Sequence, residues 1–139
     1  MRFILDTNVV SELRKVQAGR ADPNVATWAS GIDAADMYLS AISVMELEIG
    51  VMRLENKDPH QGAIMRAWLD HHVMPEFSDR ILSIDAVVAQ RCARLHIPDP
   101  ASDRDALIAA TGLVHGLTIA TRNIADFERT GVSLINPWR

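Results

Sequence analysis

Short apolar runs alternate with amphipathic stretches along the chain, and this alternation predicts strands and helices in turn. Arg2 to Leu5 is a run of large residues that stops at Asp6-Thr7-Asn8, after which Val9, Val10 and Leu13 share one side of a helix. Strand, sharp turn and helix follow. Lys15 to Asp22 is polar and holds Gly19, as a loop does, and Pro23 stands where a helix through Val25 and Trp28 begins. A second strand fits Met37 to Ile42. From Ser43 the pattern turns helical, with Val44, Leu47, Val51 and Leu54 at helical spacing. Pro59 and Gly62 open another helical stretch carrying Ile64, Met65, Trp68, Leu69 and Val73, which Pro75 closes, so the two stretches form a helical hairpin. Arg80 to Ile84 is strand-like, and Asp85 caps a helix through Val88, Cys92 and Leu95 that Pro98 and Pro100 end. Ser102 starts a further helix, closed near Gly116. Leu117 to Ala120 reads as a strand, Asn123 to Phe127 as a turn or short helix, and Val132 to Ile135 as a last strand before Pro137. Strands alternating with helices imply an α/β fold with a mostly parallel sheet covered on both faces. No repeat or linker divides the chain, so residues 1–139 are expected to form one domain.

Composition narrows the class without naming a function. The 139 residues are 48% hydrophobic and 23% charged, near the soluble-protein average, which excludes extended disorder, a collagen-like repeat and a coiled-coil rod. Fourteen Lys and Arg against eighteen Asp and Glu leave a formal charge of -4. No global cationic field exists to hold nucleic acid, so a polyanion must be bound locally or through a metal. One cysteine, Cys92, forms no internal disulfide and fits no zinc spacing, as expected of a core filler in a reducing cytoplasm. The opening Met1-Arg2-Phe3-Ile4-Leu5 is cut short by Asp6, far below the roughly 20 residues of a membrane span, so neither export nor a membrane is expected.

In an open parallel sheet the carboxyl ends of the strands and the amino ends of the following helices share one edge, where ligands bind. Asp6 ends the first strand, Glu46 falls in the first turn of the helix after the second, and Asp126 follows the strand ending at Ala120. Asp105 opens the helix after Ser102, although a helix precedes it. Each acid also fits a capping role: Asp6 at its helix, Ser43 with Glu46 as a capping box, Ser102 with Asp105 and Asn123 with Asp126 as weaker ones. Jointly they argue more. Like charges at 4 Å repel by roughly 1 to 4 kcal/mol per pair at effective dielectrics of about 80 to 20, and a cation relieves that cost. All-oxygen ligands without paired His or Cys select Mg²⁺ or Mn²⁺ over zinc. Such ions favour metal-assisted attack of water on a phosphodiester.

Phe3-Ile4-Leu5-Asp6-Thr7-Asn8, Ser43 to Gly50 with Glu46-Leu47, Asp105-Ala106-Leu107-Ile108-Ala109-Ala110-Thr111, and Thr121-Arg122-Asn123 with Asp126-Phe127 resemble the four acidic motifs of PIN-domain ribonucleases. His115-Gly116-Leu117-Thr118 and Asn136-Pro137-Trp138 are similar to the VapC/FitB-like toxins of type II toxin–antitoxin systems. The resemblance covers essentially the whole chain, in order. It implies a PIN-like three-layer α/β/α sandwich and a Mg²⁺- or Mn²⁺-dependent endoribonuclease toxin that leaves a 3′-hydroxyl and a 5′-phosphate. It implies Asp6 and Asp105 as primary metal ligands, with Glu46 and Asp126 completing the site directly or through water. Asn8, Thr121 and Asn123 are implied as polar supports, though turn chemistry explains them equally well. Implied partners are the RNA substrate, a cognate antitoxin and a second copy of the chain, singly or in a hetero-oligomer.

A haloacid-dehalogenase-like phosphatase also places an Asp after its first strand but wants a second acid where Asn8 stands, and the chain has very few lysines to clamp phosphate. A non-catalytic RNA-binding module of similar fold would lack one of the four acids. Asp103 and Glu48 lie rotated away from Asp105 and Glu46 and are expected to be solvated. His60, His71, His72, His96 and His115 are scattered. Arg122, beside the acids, fits a phosphate contact and an ordinary solvated arginine alike. The helix from Ser43 is apolar on two sides, with Met45, Ile49 and Met52 on the second. That calls for more than one neighbour, in the core or at an interface.

Overall fold

A computed structural model describes all 139 residues. Five parallel strands form one sheet in the order β3-β2-β1-β4-β5: β1 (Phe3–Leu5), β2 (Met37–Ser40), β3 (Ile81–Leu82), β4 (Thr118–Ala120) and β5 (Leu134–Ile135). The expected mostly parallel sheet is parallel throughout. Its strands are short, with β3 and β5 two residues each, where the apolar pattern suggested five and four.

Seven helices cover the sheet: α1 (Thr7–Leu13), α2 (Pro23–Ser30), α3 (Ala41–Lys57), α4 (Pro59–Trp68), α5 (Met74–Glu76), α6 (Ala86–Leu95) and α7 (Asp103–His115). In β1, Phe3 and Leu5 face one layer while Ile4 faces the other, the period of two that splits a buried strand between two cores. The first core joins Phe3, Leu5 and Leu39 to Leu47, Leu69 and Phe77; the second joins Ile4 and Ile119 to Ile108 and Phe127. A third cluster around Val88, Cys92, Ala106 and Ala110 fastens α6 to α7, and Cys92 is the small buried filler expected.

Three sequence expectations shift. Helix α3 begins at Ala41, capped by Ser40, whose hydroxyl accepts from the Ile42 N–H; Ser43 is no cap, and its buried hydroxyl has no partner. Glu46 therefore sits in the second turn. Pro75 does not close its helix. A wide turn at Leu69–Val73 lets the Met74 N–H bond back to Leu69, five residues earlier, and α5 carries the helix past the proline. The loosened turn makes room for a ring that would otherwise press on a carbonyl. On α3, Leu47 and Val51 are buried while Met45 and Met52 are exposed, so the core takes one apolar side and leaves most of the second to solvent. A Cβ at Gly112 would lie 3.1 Å from Val132 Cγ2, so the glycine leaves room for that side chain against α7.

Candidate active site

Strand order reverses at β1, which has β2 on one side and β4, reached much later in the chain, on the other. A crevice opens at such a switch point because the connections leave in opposite directions. Asp6 follows β1 and Thr121 follows β4, so two residues 115 positions apart become neighbours at the carboxyl edge. The Thr121 hydroxyl donates to Asp6 Oδ2 at 2.7 Å, the Thr7 N–H donates to Oδ1 at 2.8 Å, and Asn8 Nδ2 reaches Oδ2 at 3.3 Å. Asp6 is nearly buried, 8% exposed, and these bonds fix its orientation.

The remaining acids arrive on separate elements. Glu46 comes from α3, and its Oε1 accepts from the Thr7 hydroxyl at 2.9 Å. Asp105 stands in the first turn of α7, where the helix dipole favours a negative charge. Asp126 ends a single 3-10 turn, Ile124–Asp126, and is exposed, while the adjacent Phe127 is fully buried and pins that turn to the core. The Asn123 N–H donates to Thr121 Oγ1 at 3.0 Å, and Asn8 Oδ1 accepts from the Arg122 N–H at 3.3 Å. The three polar supports singled out from the sequence thus all connect to Asp6, directly or through Thr121.

Asp105 lies within electrostatic reach of the other three carboxyls. Asp105 is pushed up to about 6 by burial, and then by the charges of Asp126, Asp6 and Glu46, with the Ser102 hydroxyl acting the other way. Asp6 is also raised, chiefly by burial, with Asp126 adding to the shift; the bonds from Thr121, Thr7 and Asn8 oppose it. The rejected acids lie elsewhere. The Asp103 side chain is 90% exposed, and Glu48 is bound by Arg66 at 2.8 Å rather than merely solvated.

Two residues of the site escaped the sequence reading. Thr7 orients Glu46 by its side chain while its backbone orients Asp6. Arg104 NH1 approaches Glu46 Oε2 at 3.8 Å, a cation brought over by the α3–α7 contact. Thr7 directly follows Asp6 in the Asp6-Thr7-Asn8 turn, and that adjacency is the signal the sequence offers. Nothing along the chain links position 104 to position 46.

All the donors at this edge are hard oxygens, and the surplus negative charge is what a divalent cation neutralises. No three of the acids stand close enough to hold an ion as they are. Asp126 is the exposed member of the set, and the chemistry of these donors fits Mg²⁺ or Mn²⁺ rather than zinc.

Relatives carry the same fold and length. A 35% identical protein over 141 residues, covering 98% of this chain and 97% of its own, is the VapC ribonuclease Y4jK of Sinorhizobium fredii. The crystal structure of FitAcB from Neisseria gonorrhoeae superposes with a TM-score of 0.87 at 33% identity, over 99% of both chains. A toxin–antitoxin complex from Klebsiella pneumoniae matches with a TM-score of 0.66 at 26% identity, over 98% of both. The family model for the PIN domain matches residues 3–132, which is nearly the whole sheet and every acid described above, and the chain belongs to the PIN domain family.

Proposed function

We propose that this protein is a divalent-metal-dependent endoribonuclease acting as a toxin, silenced by a cognate antitoxin. The observation that carries the reading is the gathering of Asp6, Glu46, Asp105 and Asp126 from four separate segments at the sheet's switch point, close enough that three of them raise the fourth. Such a concentration of charge costs stability and has a use only when a cation and an anionic substrate meet there. The likeness to a VapC ribonuclease and to a toxin–antitoxin complex supports RNA as substrate and an antitoxin as partner. A homodimer and a hetero-oligomer with the antitoxin belong to the same proposal, with the cytoplasm as the compartment that supplies RNA and Mg²⁺. No helix is long and apolar enough to cross a membrane.

Asp6 and Asp105 would hold Mg²⁺ or Mn²⁺, with Glu46 and Asp126 completing the site directly or through water. When bound, the ion supplies Lewis acidity toward the phosphodiester and the positive charge that the site otherwise lacks. The chain's own part is orientation. Thr121, Thr7 and Asn8 hold Asp6 in one rotamer, and the Thr7 hydroxyl holds Glu46. The Asp105 carboxyl, raised to about 6, is mostly ionised at neutral pH and would meet the ion as a carboxylate. No phosphoenzyme is required, since Asn8 stands where a phosphatase would carry its second acid.

Antitoxin-free protein should cleave RNA with Mg²⁺ or Mn²⁺, stop with EDTA, and lose at least about a hundredfold in rate in Asp6→Asn, a floor of roughly 3 kcal/mol in the barrier. Equal cleavage by Asp6→Asn discards the mechanism.

A further inference from the structure

An acidic site that cuts a polyanion needs a cation near the scissile phosphate that the acids do not consume. Arg104 stands 3.8 Å from Glu46 and is paired with an acid of the site. Arg122 is not. Its guanidinium makes no hydrogen bond or ion pair within the chain; its only polar contact is through the backbone N–H, which Asn8 accepts. The guanidinium instead lies over the indole of Trp138, 5.3 Å from the ring centroid.

That placement is built from both sides. On the backbone side, Arg122 is held between Thr121, bonded to Asp6, and Asn123, whose N–H returns to the Thr121 hydroxyl. Its Cα is thereby tied to the acidic edge. On the other side, Trp138 packs against the first core, its backbone N–H donates to Asn136 Oδ1 at 3.0 Å, and its backbone carbonyl accepts from Asn24 Nδ2 at 2.8 Å. A ring face holds a guanidinium by charge–quadrupole attraction while leaving its edge donors free. An exposed arginine kept in one place, with all its N–H donors unspent, has the form of an oxyanion receptor.

We propose that Arg122 binds a phosphate of the RNA backbone at the rim of the acidic site, and that Trp138 is the positioning residue that holds it there. The assignment rests on the nuclease reading above. It gives the C-terminal segment, beyond the last of the four acids, a part in substrate binding.

The test is binding of a fluorescein-labelled, mixed-sequence single-stranded RNA 20-mer, read by anisotropy in Asp6→Asn so that nothing is cut, with Mg²⁺ present and salt varied. Adding Arg122→Gln should weaken binding about tenfold, as expected for a charge-assisted contact. It should also flatten the plot of log K against log salt by about 0.7, the share of one phosphate contact on a single strand. Arg122→Lys should recover the salt slope but not the full affinity, and Trp138→Leu should weaken binding without changing the net charge. Lys57→Gln, at the far exposed end of α3, controls for net charge and should leave affinity near that of the parent. In the active enzyme, Arg122→Gln should raise KM more than it lowers kcat. An unchanged Kd and salt slope in Arg122→Gln, with only the melting temperature lowered, would show that Arg122 merely fastens the tail and would overturn the assignment. Loss of RNA binding by the Asp6→Asn parent, with no cleavage by the wild type, sinks the nuclease reading itself.

Discussion

Asp105 is predicted to make the metal-free protein less stable than it would be with a neutral residue there. Its carboxyl lies at about 6 in the fold against 3.8 in an unfolded chain, with burial the largest cause and the neighbouring Asp126, Asp6 and Glu46 the next. Two pH units correspond to about 3 kcal/mol, and partial exposure with solvent screening reduces the expected effect to about 1 kcal/mol. The sign follows from proton binding. Between 3.8 and about 6 the folded form holds a proton that the unfolded form has released, so this group's contribution is whole below 3.8 and lost as pH rises through 6. Asp105→Asn, neutral at every pH, should therefore be more stable than wild type by about 1 kcal/mol at pH 7.5 in EDTA, or about 2 to 4 °C in Tm, and the gain should shrink toward pH 4. Urea unfolding of both proteins at several pH values measures it. Saturating Mn²⁺ should reverse the order: at about 100 times its Kd it stabilises wild type by about 2.7 kcal/mol and the variant by less. If Asp105→Asn is no more stable than wild type in EDTA at pH 7.5, the account of a repulsive carboxylate cluster is wrong.

Other substitutions probe the supports of the site. Gly62→Ala drives a Cβ into the Glu55 backbone across the α3–α4 hairpin, away from the acids, and it should cost about 1 to 3 kcal/mol in chemical unfolding. Thr121→Val removes the 2.7 Å bond to Asp6 at nearly constant volume; RNA cleavage should fall about tenfold, while Thr121→Ser should keep most of it. Phe127→Ala empties a fully buried site behind Asp126, costing about 3 to 5 kcal/mol and loosening the turn that presents that acid, so cleavage measured well below the lowered Tm should still be impaired.

The order of strands and helices was legible along the chain, as was the placing of carboxylates near the ends of those elements. Each rests on local chemistry: apolar runs that end at an acid, prolines and glycines at element ends, and first-turn acids on helices. Local signals failed where neighbours decide. Ser43 with Glu46 satisfies a capping box on paper, yet Ser40 leaves the β2 edge in the right geometry and takes the cap, which moves Glu46 into the second turn. Pro75 ought to stop a helix, but the packing of Leu69, Val73 and Phe77 on the sheet repays one wide turn around it. Arg80 to Ile84 and Val132 to Ile135 carry enough apolar residues for longer strands, and pairing on one side only, at the two rims of the sheet, shortens both. What the sequence determined by itself was therefore which residues have the chemistry. Which of them meet was decided by the sheet, because the reversal of strand order at β1 sets Thr121 on Asp6 and the α3–α7 contact sets Arg104 on Glu46. Such juxtapositions depend on packing between distant segments, which leaves no period or spacing in the chain to read.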